Sequence, residues 1–261
     1  MFKTPLEKQW DKIMKQETDF LKKSATKKSN KVDEFLSEKV PDKLQGTLNT
    51  AFSKSFSLIF DKGTTFIEKS YNKEEEILKH KVNMYAYNLR PDNKRLRRFE
   101  TASSKSQAVN VAVSGAKGVG LGLLGIGLPD IPIFIGMILK GIYEIALRYG
   151  YEYDTEAEQY YILSIIAGSL SYGDSASNIN AKINSFIVTE KLPDYYDKEN
   201  QIRVVSNVLS TELLCMKFLQ GLPVVGVVGG VADAVFVNKI LAYAKLKYKR
   251  RFLYRNITQR K

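Results

Sequence analysis

The sequence predicts an all-α protein, a multi-helix bundle carrying two glycine-rich apolar helical hairpins or segments. Three observations lead there. Apolar residues recur at three- and four-residue spacing in one segment after another, the period of a helix with one buried face. Residues that start and stop helices punctuate these segments. No stretch alternates apolar and polar residues as a half-buried strand does, and the valine-rich run at 224–231 comes nearest.

Taken in order, Leu6, Trp10, Ile13, Met14 and Leu21 make the first stripe, with Lys8, Lys12 and Lys15 largely off it. Such a basic amphipathic helix suits a membrane surface and equally suits an arm docked on the core. Residues 22–31 read as a polar, basic linker. From Pro41 to Tyr71, Leu44, Leu48, Phe52, Phe56, Ile59 and Phe66 mark one long helix or two, with Gly63 the weak point. Leu78, Val82, Tyr85 and Leu89 form the next stripe, which Pro91 ends. The cluster Lys94, Arg95, Arg97, Arg98 follows.

Residues 107–127 are small, apolar and rich in glycine. Asp130 then reads as an N-cap, with Pro132 in the first turn of an apolar helix. The one polar row on that helix is Lys140, Glu144 and Arg148, four apart. Thr155 and Glu158 read as a capping box before a buried helix from Tyr161 to Leu170. Stripes follow at Ile179, Ile183, Phe186, Ile187 and at Val205, Leu209, Leu213, Met216. Gly221-Leu222-Pro223 opens the second glycine-rich run, which leads into a basic, tyrosine-rich helix.

The 261 residues suffice for a sizeable core, and 44% apolar with 26% charged residues is an ordinary globular balance. The 40 Lys and Arg exceed the 28 Asp and Glu, for a net charge of +12. Residues 245–261 contain eight of those cations and no acid. An anionic membrane surface is the expected partner, with Lys249, Arg250 and Arg251 as candidate lipid contacts. A single cysteine, Cys215, excludes an internal disulfide and fits a reducing compartment. The charged opening lacks a secretory h-region, so the expected location is cytoplasmic, at the inner face of the cell membrane.

Catalytic constellations are missing. Gly115 to Gly120 lacks the Gly-Lys-Ser/Thr order that a phosphate loop needs to place lysine on phosphate and hydroxyl on magnesium. Ser114 and Lys117 match a Ser-x-x-Lys spacing, but Ser24 and Lys27 match it as well, and the partner motifs are absent. Cys215 reads as a small core residue. His80, the one histidine, reads as a surface residue with no second ligand for a metal. No cofactor, metal or enzymatic activity is expected. Two carboxylates stand out, Asp130 and Asp233, because each interrupts apolar text where charge is costly unless capped, paired or functional.

Around Asp130-Ile131-Pro132 the text becomes recognisable: a glycine-rich lead, then an apolar helix with Ile145-Ala146, Tyr149-Gly150-Tyr151 and an acidic helix start. With Leu222 to Leu253 as a second block and Ala51 to Lys69 as an opening helix, the chain resembles the EcsC protein family. The resemblance covers 40–255 as a helical domain, leaving 1–31 as a basic N-terminal helix and linker and 256–261 as a basic tail. The family is named for a gene beside those of an ABC transporter's ATPase and membrane subunits in Firmicutes, and it implies no reaction or ligand. The reading that follows is a membrane-associated accessory protein linked to an ABC transporter or envelope-stress system. A soluble nucleic-acid-binding protein, using Lys94–Arg98 and the tail's Tyr248, Phe252 and Tyr254, is the disfavoured alternative. An enzyme acting through Asp130 and Asp233 is another.

Overall fold

Two of the first helix's own residues start it. In α1 (Pro5–Thr26) the Thr4 hydroxyl accepts from the Glu7 backbone N–H at 3.3 Å, and the Glu7 carboxylate accepts from the Thr4 N–H at 2.8 Å. This is a reciprocal capping box, with Pro5 at the position where its missing N–H costs nothing. The computed structural model describes residues 3–26, 42–62, 65–100, 130–219 and 231–259, excepting the side chains of 26, 62, 65, 66, 130, 217–219 and 231–234.

The remaining helices are α2 (Asp42–Lys62), α3 (Thr65–Glu68), α4 (Lys73–Leu89), α5 (Asn93–Arg97), α6 (Asp130–Arg148), α7 (Glu156–Leu170), α8 (Gly173–Thr189), α9 (Lys198–Leu219) and α10 (Val231–Thr258). No strand occurs among the described residues. Side-chain caps set several starts: Asn72 accepts from Glu75 N–H, Asp92 from Arg95 N–H, and Asp197 from Asn200 N–H at 3.0 Å. α2 ends at Lys62 and α3 begins at Thr65, with the expected weak point, Gly63, outside the described residues; Pro91 follows the end of α4 as expected.

Tyr149-Gly150-Tyr151 closes α6. The Gly150 N–H donates to Leu147 O at 2.9 Å and the Tyr151 N–H to Ala146 O at 3.0 Å, the bond pair of a Schellman cap. Gly150 has φ +79°, where a side chain is strained. The flanking tyrosines turn inward: Tyr149 packs on Phe252 at 5.6 Å and Tyr151 on Tyr248 at 5.9 Å between ring centroids.

Helices α6 and α7 lie at the centre. α6 packs against α2, α4 and α10; α7 packs against α8, α9 and α10. α10 also holds α1, and α9 closes against α2. Every residue of α7 from Glu158 to Leu170 is buried. α6 is apolar on most sides because protein covers most sides: Ile135, Ile138, Leu139, Ile142, Tyr143 and Ala146 are fully enclosed. No described helix is long and apolar enough to cross a membrane. The first of the two glycine-rich runs, and most of the second, lie outside the described residues.

α1 is docked on the body of the protein. Leu6, Ile13 and the polar Gln9 and Glu17 are buried against α10 and α8, with Trp10 and Met14 packed beside them. Of the two readings its sequence allows, this is the docked arm.

Candidate functional site

The acid-free stretch of α10 turns most of its charge inward. Lys247 is completely buried; its Nζ lies 3.3 Å from Glu17 Oε1 of α1 and donates to Asn184 Oδ1 of α8 at 2.9 Å and to Asn180 Oδ1. Arg250 reaches the other oxygen of Glu17 at 2.5 Å. Asn180 and Asn184, one helical turn apart, each donate to Glu17, and the Tyr243 hydroxyl donates to Asn180 at 2.9 Å. Burial pushes the Glu17 carboxyl up, but Lys247, Arg250 and the two amides outweigh it and hold it below its ordinary range. Desolvation dominates at Lys247 and lowers its ammonium to about 7, against the attraction of Glu17.

A second cluster surrounds Arg251. Its guanidinium pairs with Glu158 at 2.7 Å and Glu190 at 3.2 Å, and lies 4.0 Å from the Tyr151 ring centroid, with Tyr161 and Phe186 close by. Tyr248 donates to Glu158 at 2.6 Å. The capping box at the start of α7 is therefore half formed. Thr155 accepts from the Glu158 N–H at 3.2 Å, but the Glu158 side chain points into the core to meet Arg251 instead of returning to the cap.

These contacts correct the expected lipid contacts. Lys249 is buried and donates to Gln9 at 2.8 Å and Glu100 at 2.5 Å. With Arg250 on Glu17 and Arg251 on Glu158, all three cations neutralise acids brought from other parts of the chain. An ammonium or guanidinium so enclosed cannot meet a lipid headgroup without leaving a buried carboxylate unpaired. The stacking expected of the tail fails for a related reason: Tyr248 and Phe252 are buried, and Tyr254 packs against Trp10.

His80 is also not a surface residue. It is half-buried, packs on Phe99 and bonds the carbonyl oxygen of Arg148. The polar row of α6 serves the interior in the same way: Lys140 pairs with Glu144 at 3.0 Å, and Arg148 pairs with Glu76 of α4 at 2.8 Å. Cys215 is buried in α9. No group of acidic, histidine or cysteine side chains among the described residues could hold a metal. Asp130 is the first residue of α6 and Asp233 lies near the start of α10, but both side chains fall outside the described set.

The structure exposes one surface that the sequence pattern assigned to a core. Leu78, Val82, Tyr85 and Leu89 of α4 are 60%, 55%, 69% and 70% exposed. Their spacing of four, three and four places them in one narrow row of about 16 Å. The helix buries its opposite side, through Glu76 and Tyr87, against α6. Lys81 flanks the row. Beyond it come Arg90, Lys94 and Arg97, all exposed; Lys81, Lys94 and Arg97 have no carboxylate partner among the described residues. Between Leu78 and Arg98 the chain has seven lysines and arginines and one acid, Asp92.

A model of the EcsC protein family matches residues 7–253, a span that takes in most of α1 and most of α10. No curated protein and no solved structure matches the chain.

Proposed function

The chain belongs to the EcsC protein family, and from that premise we propose that it is a peripheral, membrane-associated accessory protein that lies on an anionic lipid surface through the outer face of α4. The observation that carries this reading is the exposed row Leu78, Val82, Tyr85, Leu89 running into the unpaired cations Lys94 and Arg97. An apolar row flanked by basic residues suits a helix lying in the plane of a bilayer interface. Its side chains enter the acyl boundary while lysine and arginine meet the headgroups. Large exposed apolar side chains gathered in one row also mark an interaction face rather than an ordinary surface. The family resemblance makes ABC transporter components the proposed protein partners, with an envelope-stress system the other setting for such an accessory role. No reaction is assigned to the chain.

Vesicle co-sedimentation tests this. The native chain should bind vesicles of mixed phosphatidylglycerol and phosphatidylcholine and leave pure phosphatidylcholine vesicles largely unbound. Leu78→Gln with Leu89→Gln, at positions open to solvent, should abolish binding without loss of helicity. Removing Lys94 and Arg97 should weaken it by about 1 kcal/mol per cation at low salt, less at high salt. Unchanged binding by the double leucine variant would overturn the proposal, and so would failure of the native chain to bind anionic vesicles.

A further inference from the structure

On a different face, α1, the end of α6, the middle of α10 and Phe99-Glu100 line a cavity of about 480 Å³ that is open to solvent on one side. Its walls are of two kinds. Ile13, Phe20, Ile145 and Leu246 supply an apolar lining; Arg148, Lys239, Lys245 and Lys249 bring four cations against the single carboxylate of Glu100. Three of the four are already engaged: Arg148 with Glu76 at 2.8 Å, Lys249 with Glu100 at 2.5 Å, and Lys239 with the Tyr172 hydroxyl at 3.0 Å. Lys245 has no carboxylate or hydrogen-bond partner among the described residues. Burial, with repulsion from Arg148, lowers its ammonium below its ordinary value.

From this geometry we infer that the cavity binds a single-chain anionic amphiphile, its acyl chain against Phe20, Ile145 and Leu246 and its carboxylate on Lys245. A cavity of this size admits a small ligand and not a folded partner. An inorganic anion would leave the apolar wall unused. A neutral amphiphile would leave the Lys245 ammonium at the mouth of the cavity unused. A carboxylate with one alkyl chain satisfies both halves. The inference does not depend on the α4 surface, which is built from other residues.

Isothermal titration of the full chain with sodium dodecanoate, below its micelle concentration, tests it. The expected result is saturable binding of one molecule per chain. Lys245→Gln, a change at an exposed position without a hydrogen-bond partner to lose, should weaken binding at least tenfold. Ala242→Trp, which places a large ring at the cavity from an exposed position on α10, should abolish it. Dodecyl maltoside and inorganic phosphate should not displace dodecanoate. The α4 double leucine variant should bind dodecanoate as the native chain does, so that failure of vesicle binding and failure of the cavity are read separately. Absence of saturable binding, equal affinity in Lys245→Gln, or equal binding of dodecyl maltoside would overturn the assignment.

Discussion

The Nδ1 of His80 donates to the carbonyl oxygen of Arg148 at 2.8 Å, joining residues 68 apart in the chain. A carbonyl only accepts, so Nδ1 carries the proton. The bond satisfies one of the carbonyls that the last turn of a helix leaves open, and the imidazole rests where the chain turns at Gly150. It ties α4 to the end of α6 beside the Arg148–Glu76 pair.

His80 should make the protein sensitive to mild acid. Burial holds its pKa below the ordinary 6.5, against the carbonyl bond that raises it, and Arg255 adds repulsion. The unfolded chain therefore takes up the proton first as pH falls, so stability begins to drop near 6.5 and stops dropping below the folded value. His80→Asn keeps an N–H for the carbonyl and does not titrate. Urea denaturation from pH 7 to pH 5 should show the native chain losing more stability than the variant. Parallel losses would assign the acid sensitivity to other groups.

Gly150→Ala should destabilise the fold by more than about 1 kcal/mol, because φ is +79° and a left-handed residue with a Cβ is strained. The new Cβ would also stand 2.5 Å from His80 Nε2. Adding His80→Ala should remove the clash but not the backbone strain, so the two changes together should cost less than their sum. Thermal or chemical denaturation of the three variants measures the coupling, and strict additivity would rule the clash out.

The Glu17 network should respond unequally to loss of its two signs of charge. Glu17→Gln leaves Lys247 and Arg250 without their carboxylate and should cost on the order of 3–5 kcal/mol. Lys247→Met leaves Glu17 paired with Arg250 at 2.5 Å and with both amides, and should cost no more than about 1–2 kcal/mol. Equal costs in denaturant titrations would mean that Lys247 and Arg250 do not share the carboxylate.

Helix class and most boundaries were legible because periodicity and capping are local. The buried stripes of α8 and α9 lie where Ile183, Phe186, Val205 and Leu209 put them. Periodicity states that a helix has an apolar side and not what lies against it, which is why the row from Leu78 to Leu89 reads as core and is exposed. The fate of the α10 cations was hidden for another reason. Their partners Glu17, Glu100 and Glu158 come from separate parts of the chain, 233, 149 and 93 residues away. One signal was available: Glu17 follows Ile13 by four residues, on the apolar side of α1, where an unpaired acid would be costly. The amphiphile cavity left no trace in any single segment, since its lining is drawn from α1, Phe99-Glu100, the end of α6 and α10 together.

The ion pairs between α10 and the earlier helices also set an order of events during synthesis. Glu17 and Glu158 leave the ribosome long before Lys247, Arg250 and Arg251, and until those cations arrive neither acid can be enclosed at tolerable cost. Contacts of such sequence separation form late and slowly. The nascent chain must therefore wait with α1 undocked and the polar end of α7 open to water, its apolar stripes within reach of chaperones and proteases. Emergence of one basic helix then closes both sites together, so the last step of assembly is also the step that neutralises the interior.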